Sequence, residues 1–270
     1  MKSFPSSERL QKLLARAGIG SRREIERWIV AGEISVNGQK ATLGMHASSQ
    51  DRIKLRGRLL SLPSTRKITP RVLIYNKPEG EVCARRDPQN RPTVFRNLPT
   101  GRWIGVGRLD INTQGLLLFT NDGRLAHQLM HPATGVKREY AVRLRGELDE
   151  SQMRRLLEGV RLEDGPARFE AIKAARQGEG INQWYHVILR EGRQREVRRL
   201  MEAVGLPVSR LIRVRYGNVE LPRGLRSGKW RALDEPALQA LYALAGLEYA
   251  APSATQNHRR QTRVHRRRPR

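Results

Sequence analysis

Apolar residues near the start of the chain recur every three or four positions, then change to alternation. In SSERLQKLLARAG, Leu10, Leu13, Leu14 and Ala17 fall on one helical face. Ser7 is suited to cap that helix and Gly18 to stop it. SRREIERWIVAG repeats the device: Ser21 caps, Ile25, Trp28 and Ile29 form the apolar face, and Gly32 ends it. EISVNGQKA then alternates around Asn37-Gly38, a dipeptide that accepts the positive φ angles of a tight hairpin. Residues 6–62 therefore predict a small domain of two short helices followed by a small sheet. Residues 63–70, PSTRKITP, carry proline at both ends and polar residues between, the composition of a linker.

From residue 71 to about 247 the pattern is longer and mixed. VLIYNKPEG, WIGVGRLD, GLLLFTND, REYAVRLRG, WYHVILREG and RLIRVRYGNVEL read as strands, rich in β-branched and aromatic residues and bounded by turn formers. RLAHQLM, DESQMRRLLEGV, REVRRLMEAVG and EPALQALYALAG have helical spacing. Strands outnumber helices and sequence neighbours can pair antiparallel. The expected fold is α+β, built on a central and mostly antiparallel mixed sheet. The run Leu116-Leu117-Leu118-Phe119 is apolar on both faces, which predicts an interior strand. Residues 248–270 end in an arginine-rich stretch without acidic residues. Such a tail buries too little to offset its ordering entropy and is expected to be disordered on its own.

Charge changes the picture. Lys and Arg number 52 against 26 Asp and Glu, a formal net charge of +26. This implies a polyanionic partner, with nucleic acid first and an anionic membrane surface as the rival. No apolar run approaches the length of a membrane span, and Glu8 and Arg9 interrupt the start too early for a signal peptide. The single cysteine, Cys83, excludes an intrachain disulfide and fits a reducing cytoplasm. The histidines lack metal-ligand spacing and no nucleotide-binding loop is present, so neither metal nor cofactor is expected. In the first domain Arg9, Lys12 and Arg16 share one face, and Arg22, Arg23 and Arg27 crowd the second helix. Two such helices can present a basic plate to phosphates, or simply a solvated face.

One carboxylate stands out in this basic chain. In VGRLDINTQGLLLF, Asp110 follows Arg108 and precedes a turn that runs into the buried strand. An ion pair or cap is the plain reading. A loop abutting a buried strand is also a rigidly held loop, the usual place for chemistry. Tyr140 in REYAV, Arg195, Arg198 and Arg199 in EGRQREVRRLMEAVG, and Lys77 in YNKPEG are polar groups that could meet it. Spacing alone does not bring them together.

Two resemblances bear on this. RLQKLLARAGIGSRREIERWIVAGEISVNG resembles the S4-like αα-β RNA-binding module. VGRLDINTQGLLLFTNDG, with YNKPEG ahead of it and Arg138-Glu139-Tyr140 and EGRQREVRRLMEAVG after it, resembles the signature of the RsuA-like pseudouridine synthases. That resemblance implies a small S4-like domain ahead of a larger pseudouridine synthase domain. It implies that Asp110 is catalytic, either attacking ribose C1′ or helping to form a glycal. It implies that Arg198 pairs with Asp110, that Arg108 helps hold the nucleotide open, and that Tyr140 stacks on the uracil. By its residues alone Tyr140 reads first as a core tyrosine, and Arg198 and Arg199 as a phosphate-facing helix. HPATGVKREYAV, EDGPARFEAIK and GEGINQWYHV resemble the members that modify a 23S rRNA uridine near the peptidyl-transferase region. The implied partner is 23S rRNA or a pre-ribosomal large-subunit particle, for a cytoplasmic monomer that needs no membrane. The competing class is a non-catalytic S4-domain RNA-binding or ribosome-assembly factor. Another rRNA uridine is the competing target. Arg108, Asp110, Tyr140 and Arg198 together favour the enzyme, because a pure binder has no use for the set.

Overall fold

The structure is a computed structural model and describes residues 7–62, 69–175 and 182–250. Most of the expected linker, and the tail from residue 251, lie outside the described residues. The chain divides into two compact units, residues 1–68 and 69–270.

The first unit contains β1 (Glu8–Arg9), α1 (Leu10–Ala17), α2 (Arg22–Val30), β2 (Ile34–Val36), β3 (Gln39–Lys40), β4 (His46–Ala47), β5 (Ile53–Leu55) and β6 (Arg58–Leu59). Helix α1 starts later than Ser7 predicts. Glu8 and Arg9 pair with Ala47 and His46, so the backbone there is extended and Arg9 takes the N-cap position without a side-chain cap. Gly18, at φ 95°, closes α1. Ser21 and Glu24 form a reciprocal capping box on α2. Asn37 and Gly38 both take positive φ between β2 and β3, as a two-residue hairpin requires. Leu10, Leu14, Ile25, Ile34 and Ile53 are buried in one core between the helices and the sheet β3-β2-β5-β6.

The second unit runs β7 (Val72–Lys77), β8 (Ile104–Val106), β9 (Gln114–Thr120), α3 (Gly123–Met130), β10 (Arg138–Arg145), α4 (Glu150–Glu158), β11 (Val160–Leu162), β12 (Gly165–Ala167), β13 (Ala171–Ala174), β14 (Asn182–Leu189), α5 (Glu196–Glu202), β15 (Val208–Tyr216), β16 (Val219–Glu220), β17 (Trp230–Ala232) and α6 (Glu235–Leu244). Its main sheet has the order β13-β14-β10-β15-β9-β7-β17, with β8 added to β9 and β16 to β15. Every pairing in that sheet is antiparallel except β9 with β15.

Strand β9 explains why GLLLF is apolar on both faces. Leu117 and Phe119 enter one core with Tyr140, Val142, Leu200 and Met201. Leu116 and Leu118 enter a second core with Leu125, Leu129, Leu241 and Tyr242. The parallel seam is short: Gln114 aligns with Ile212 and Gly115 with Arg213. Gly115 has φ +99°, and a Cβ there would lie 2.4 Å from the Arg213 carbonyl oxygen. Only glycine lets β9 and β15 approach this closely.

Candidate active site

Asp110 lies on the tight turn that feeds β9. Its carbonyl accepts from the Thr113 amide at 3.0 Å. Its side chain is half-buried, and its carboxylate makes neither a hydrogen bond nor an ion pair with a described residue.

Two buried cations hold the turn in place. Lys77, at the end of β7, is fully buried. Its ammonium donates to the carbonyls of Pro78 at 2.9 Å, Ile111 at 3.3 Å and Thr113 at 2.9 Å. Burial lowers its pKa, and the charges of Cys83, Glu81 and Asp110 oppose that shift. Arg198, on α5, donates from one terminal nitrogen to the Val208 carbonyl at 2.9 Å and from the other to the Asn112 carbonyl at 3.0 Å. It thereby ties α5 and the start of β15 to the Asp110 turn. Burial and then the charge of Arg195 lower its pKa, whereas Asp110 raises it. The expected Arg198–Asp110 ion pair is therefore not closed. The guanidinium lies within electrostatic reach of the carboxylate, but its hydrogen bonds go to backbone carbonyls and its buried Nε has no partner. Asn112 Oδ1 and Thr113 Oγ1 are likewise buried without partners. Orphaned polar atoms gathered on one turn mark a place where a ligand or water completes the bonding.

Tyr140 reaches this region through strand register. It aligns with Arg213 on β15, which aligns with Gly115 on β9. Its ring packs in the core, so the plain core-tyrosine reading also holds in part. Arg108 is exposed beside the turn. Arg199 is not a free phosphate contact: Asp164 holds it through two bonds at 2.9 and 2.8 Å.

The sequence reading missed two neighbours. Glu79 accepts from Gln114 at 3.1 Å and its charge reaches both Lys77 and Arg198. Arg213 is buried in the seam, donates from Nε to the Leu116 carbonyl at 2.7 Å and stacks on Tyr216. An arginine in so basic a chain gives no sign in sequence that it is buried.

In the first unit Arg9, Lys12, Arg16, Arg22, Arg23 and Arg27 are all exposed. Lys12 and Arg16 share Glu8 as an ion-pair partner, so their charge is partly spent within the fold. Arg9, Arg22, Arg23 and Arg27 make no ion pair with a described residue.

The chain thus joins a two-helix basic module to a mixed-sheet domain that carries a carboxylate on a clamped turn. The RNA pseudouridylate synthase family matches residues 71–203 and the S4 domain matches residues 8–53. The chain belongs to the S4-containing pseudouridine synthases. It is 55% identical over 250 residues to ribosomal large subunit pseudouridine synthase B of Pseudomonas aeruginosa, covering 92% of this chain and 65% of that protein. It thus spans a little under two thirds of that relative's length. It is 56% identical over 265 residues to the protein of that name from Salmonella typhi, and 55% to that of Escherichia coli strain K12, covering 96% of this chain and 91% of each. A crystal structure of a pseudouridylate synthase superposes with a TM-score of 0.60 at 27% identity, covering 86% of this chain and 99% of the other.

Proposed function

We propose that this protein isomerises one uridine of 23S rRNA, in the peptidyl-transferase region, to pseudouridine. The observation that carries the reading is the Asp110 turn itself: an unpaired carboxylate on a turn clamped by Lys77 and Arg198 and surrounded by unsatisfied polar atoms. The similarity to enzymes named for the large ribosomal subunit supports the choice of target.

The reaction breaks the bond from uracil N1 to ribose C1′ and makes one from C5 to C1′. The C5 proton leaves and N1 gains one, so no electron donor or acceptor is consumed. Asp110 serves either by attacking C1′ or by helping to remove a ribose proton to give a glycal. C1′ and N1 are not reachable in a stacked helix, so the nucleotide must be extruded. Tyr140 stacks on the extruded uracil, an interaction worth about 1–3 kcal/mol per base. Arg108 keeps the nucleotide out. Arg198 holds the turn and places its positive charge within electrostatic reach of the Asp110 carboxylate. The face of Arg9, Lys12, Arg16, Arg22, Arg23 and Arg27 meets RNA phosphates. The protein's place is the cytoplasm, where rRNA or the pre-ribosomal large-subunit particle is available.

Pseudouridine mapping of rRNA from cells with and without the gene tests the reading. One 23S signal should vanish with the gene. An unchanged 23S map, or a lost signal in 16S rRNA, overturns it.

A further inference from the structure

Between β7 and β8 the chain makes a long loop whose root lies against both sides of Asp110. The Leu109 amide donates to Cys83 Sγ at 3.4 Å, and the Gly80 amide donates to the Ile111 carbonyl at 2.8 Å. The loop is rigidly built. Val82 bridges Thr93, Val94 and Trp103 are buried, and Phe95 packs edge-on to Phe119 at 5.3 Å. The Arg85 guanidinium lies 4.6 Å over the Phe95 ring and donates to the Trp103 carbonyl.

The outer part of this loop encloses an open recess of about 490 Å³, with Arg86, Arg91 and Arg96 among its lining residues. Asp87, its one acidic residue, is already committed. It accepts from the Arg91 side chain at 2.9 and 2.8 Å and from the Arg91 and Gln89 amides. The Arg91 hydrogen bonds pull its pKa down to about 2, so it stays ionised at neutral pH and fixes the Arg91 fork. Arg86 and Arg96 are exposed and have neither hydrogen-bond nor ion-pair partners for their side chains among the described residues. Two free guanidiniums flank one that is locked. The recess lacks the aromatic wall a base would need, and it suits a phosphodiester.

We propose that the recess of Arg86, Arg91 and Arg96 grips a backbone phosphate of the substrate RNA flanking the target uridine. This rests on the function proposed above and extends it, giving the catalytic domain a phosphate contact separate from the S4 face. The loop that carries the recess is rooted against the Asp110 turn, so a phosphate held in its outer part is tied to the site through the loop. Arg85 has no part in it, because its guanidinium is spent on Phe95 and Trp103.

The test is binding of a 23S rRNA fragment, at several salt concentrations, to the full-length protein and to the Arg86→Gln/Arg96→Gln double variant. Losing one phosphate contact should flatten the slope of log affinity against log salt by about 0.7–0.9. Arg86→Lys/Arg96→Lys should restore the slope. A methylphosphonate placed at each backbone linkage in turn should weaken wild-type binding at one linkage that the glutamine variant ignores. Both arginines are exposed, and unchanged thermal melting of the variants confirms that the fold is kept. An unaltered slope, or methylphosphonate penalties that persist in the double variant at every linkage, overturns the proposal. A variant that binds RNA as wild type does but loses affinity for an acidic protein also overturns it. The binding readout does not depend on turnover. If the wild-type protein binds the fragment without forming pseudouridine, the functional reading fails, whereas an unaltered slope with normal turnover sinks only the recess.

Discussion

Gly115→Ala adds a single methyl group at the seam on which the site depends. Gly115 has φ +99°, and the new Cβ would meet the Arg213 carbonyl oxygen at 2.4 Å, Ile212 Cγ2 at 2.8 Å and the Arg213 amide nitrogen at 2.9 Å. Two of these neighbours are backbone and cannot rotate away. The unfavourable φ costs about 1–3 kcal/mol, and overpacking adds about 1–3 kcal/mol. For a domain of this size each kcal/mol lowers Tm by about 2–4 °C, so a fall of about 5 to 20 °C is expected. Relief can come only by parting β9 from β15, which separates the Asp110 turn from the strands that carry Arg213 and Tyr140. Turnover measured well below the new Tm should therefore fall as well. Gly228→Ala is the control, with φ +74° and open space around its Cβ position. It carries the backbone strain without the clash and should keep its turnover. The comparison needs thermal melts and single-turnover pseudouridine formation for the three proteins. A Gly115→Ala protein that melts and turns over like Gly228→Ala would refute the seam as the element that joins the two halves of the site.

Arg198→Ala should lower the single-turnover rate by about ten- to a hundredfold, matching loss of one charge-assisted bond to the turn at about 1.5–3 kcal/mol. Arg198→Lys should fall between, since an ammonium cannot span the Asn112 and Val208 carbonyls as a planar fork does; wild-type rates in both would remove Arg198 from the site. Lys77→Met strands three carbonyls but no longer buries an ammonium, for a net loss of about 3 kcal/mol, read as a lower urea midpoint; an unchanged midpoint would show that the clamp is idle. Burial raises the Glu139 carboxyl, but its hydrogen bonds to His186 and Arg215 outweigh this and leave its pKa below the ordinary 4.5. Its stabilisation is present above that ordinary value and is lost as pH falls through the depressed one, so Glu139→Gln should flatten the acid limb of stability against pH; parallel limbs would contradict this.

Much of the frame was legible because local signals and burial agree. Asn37-Gly38 and Ser21 with Glu24 act as local chemistry predicts. GLLLF is interior because two cores need its two faces. Ser7 misled because a long-range pairing of β1 with β4 extends the backbone that its capping role would have made helical. Strands β13 and β17 are short, half or more exposed, and carry no alternation that marks them in sequence. The site was legible as a set of residues and not as a set of bonds. Lys77 and Arg198 act through backbone carbonyls, which have no residue-specific signature, so neither the clamp nor the open Arg198–Asp110 pair could be read from spacing.

The role proposed for Asp110 is chemical, with little contribution to binding. Asp110→Asn keeps the side chain's size and removes its charge, and among the described residues that carboxylate holds no structural bond to lose. The deciding measurement is single-turnover pseudouridine formation by Asp110→Asn protein on a 23S rRNA fragment, with affinity measured on the same RNA. The expected result is no detectable product with affinity within a few-fold of wild type. Product formed at a substantial fraction of the wild-type rate would exclude Asp110 from the chemistry.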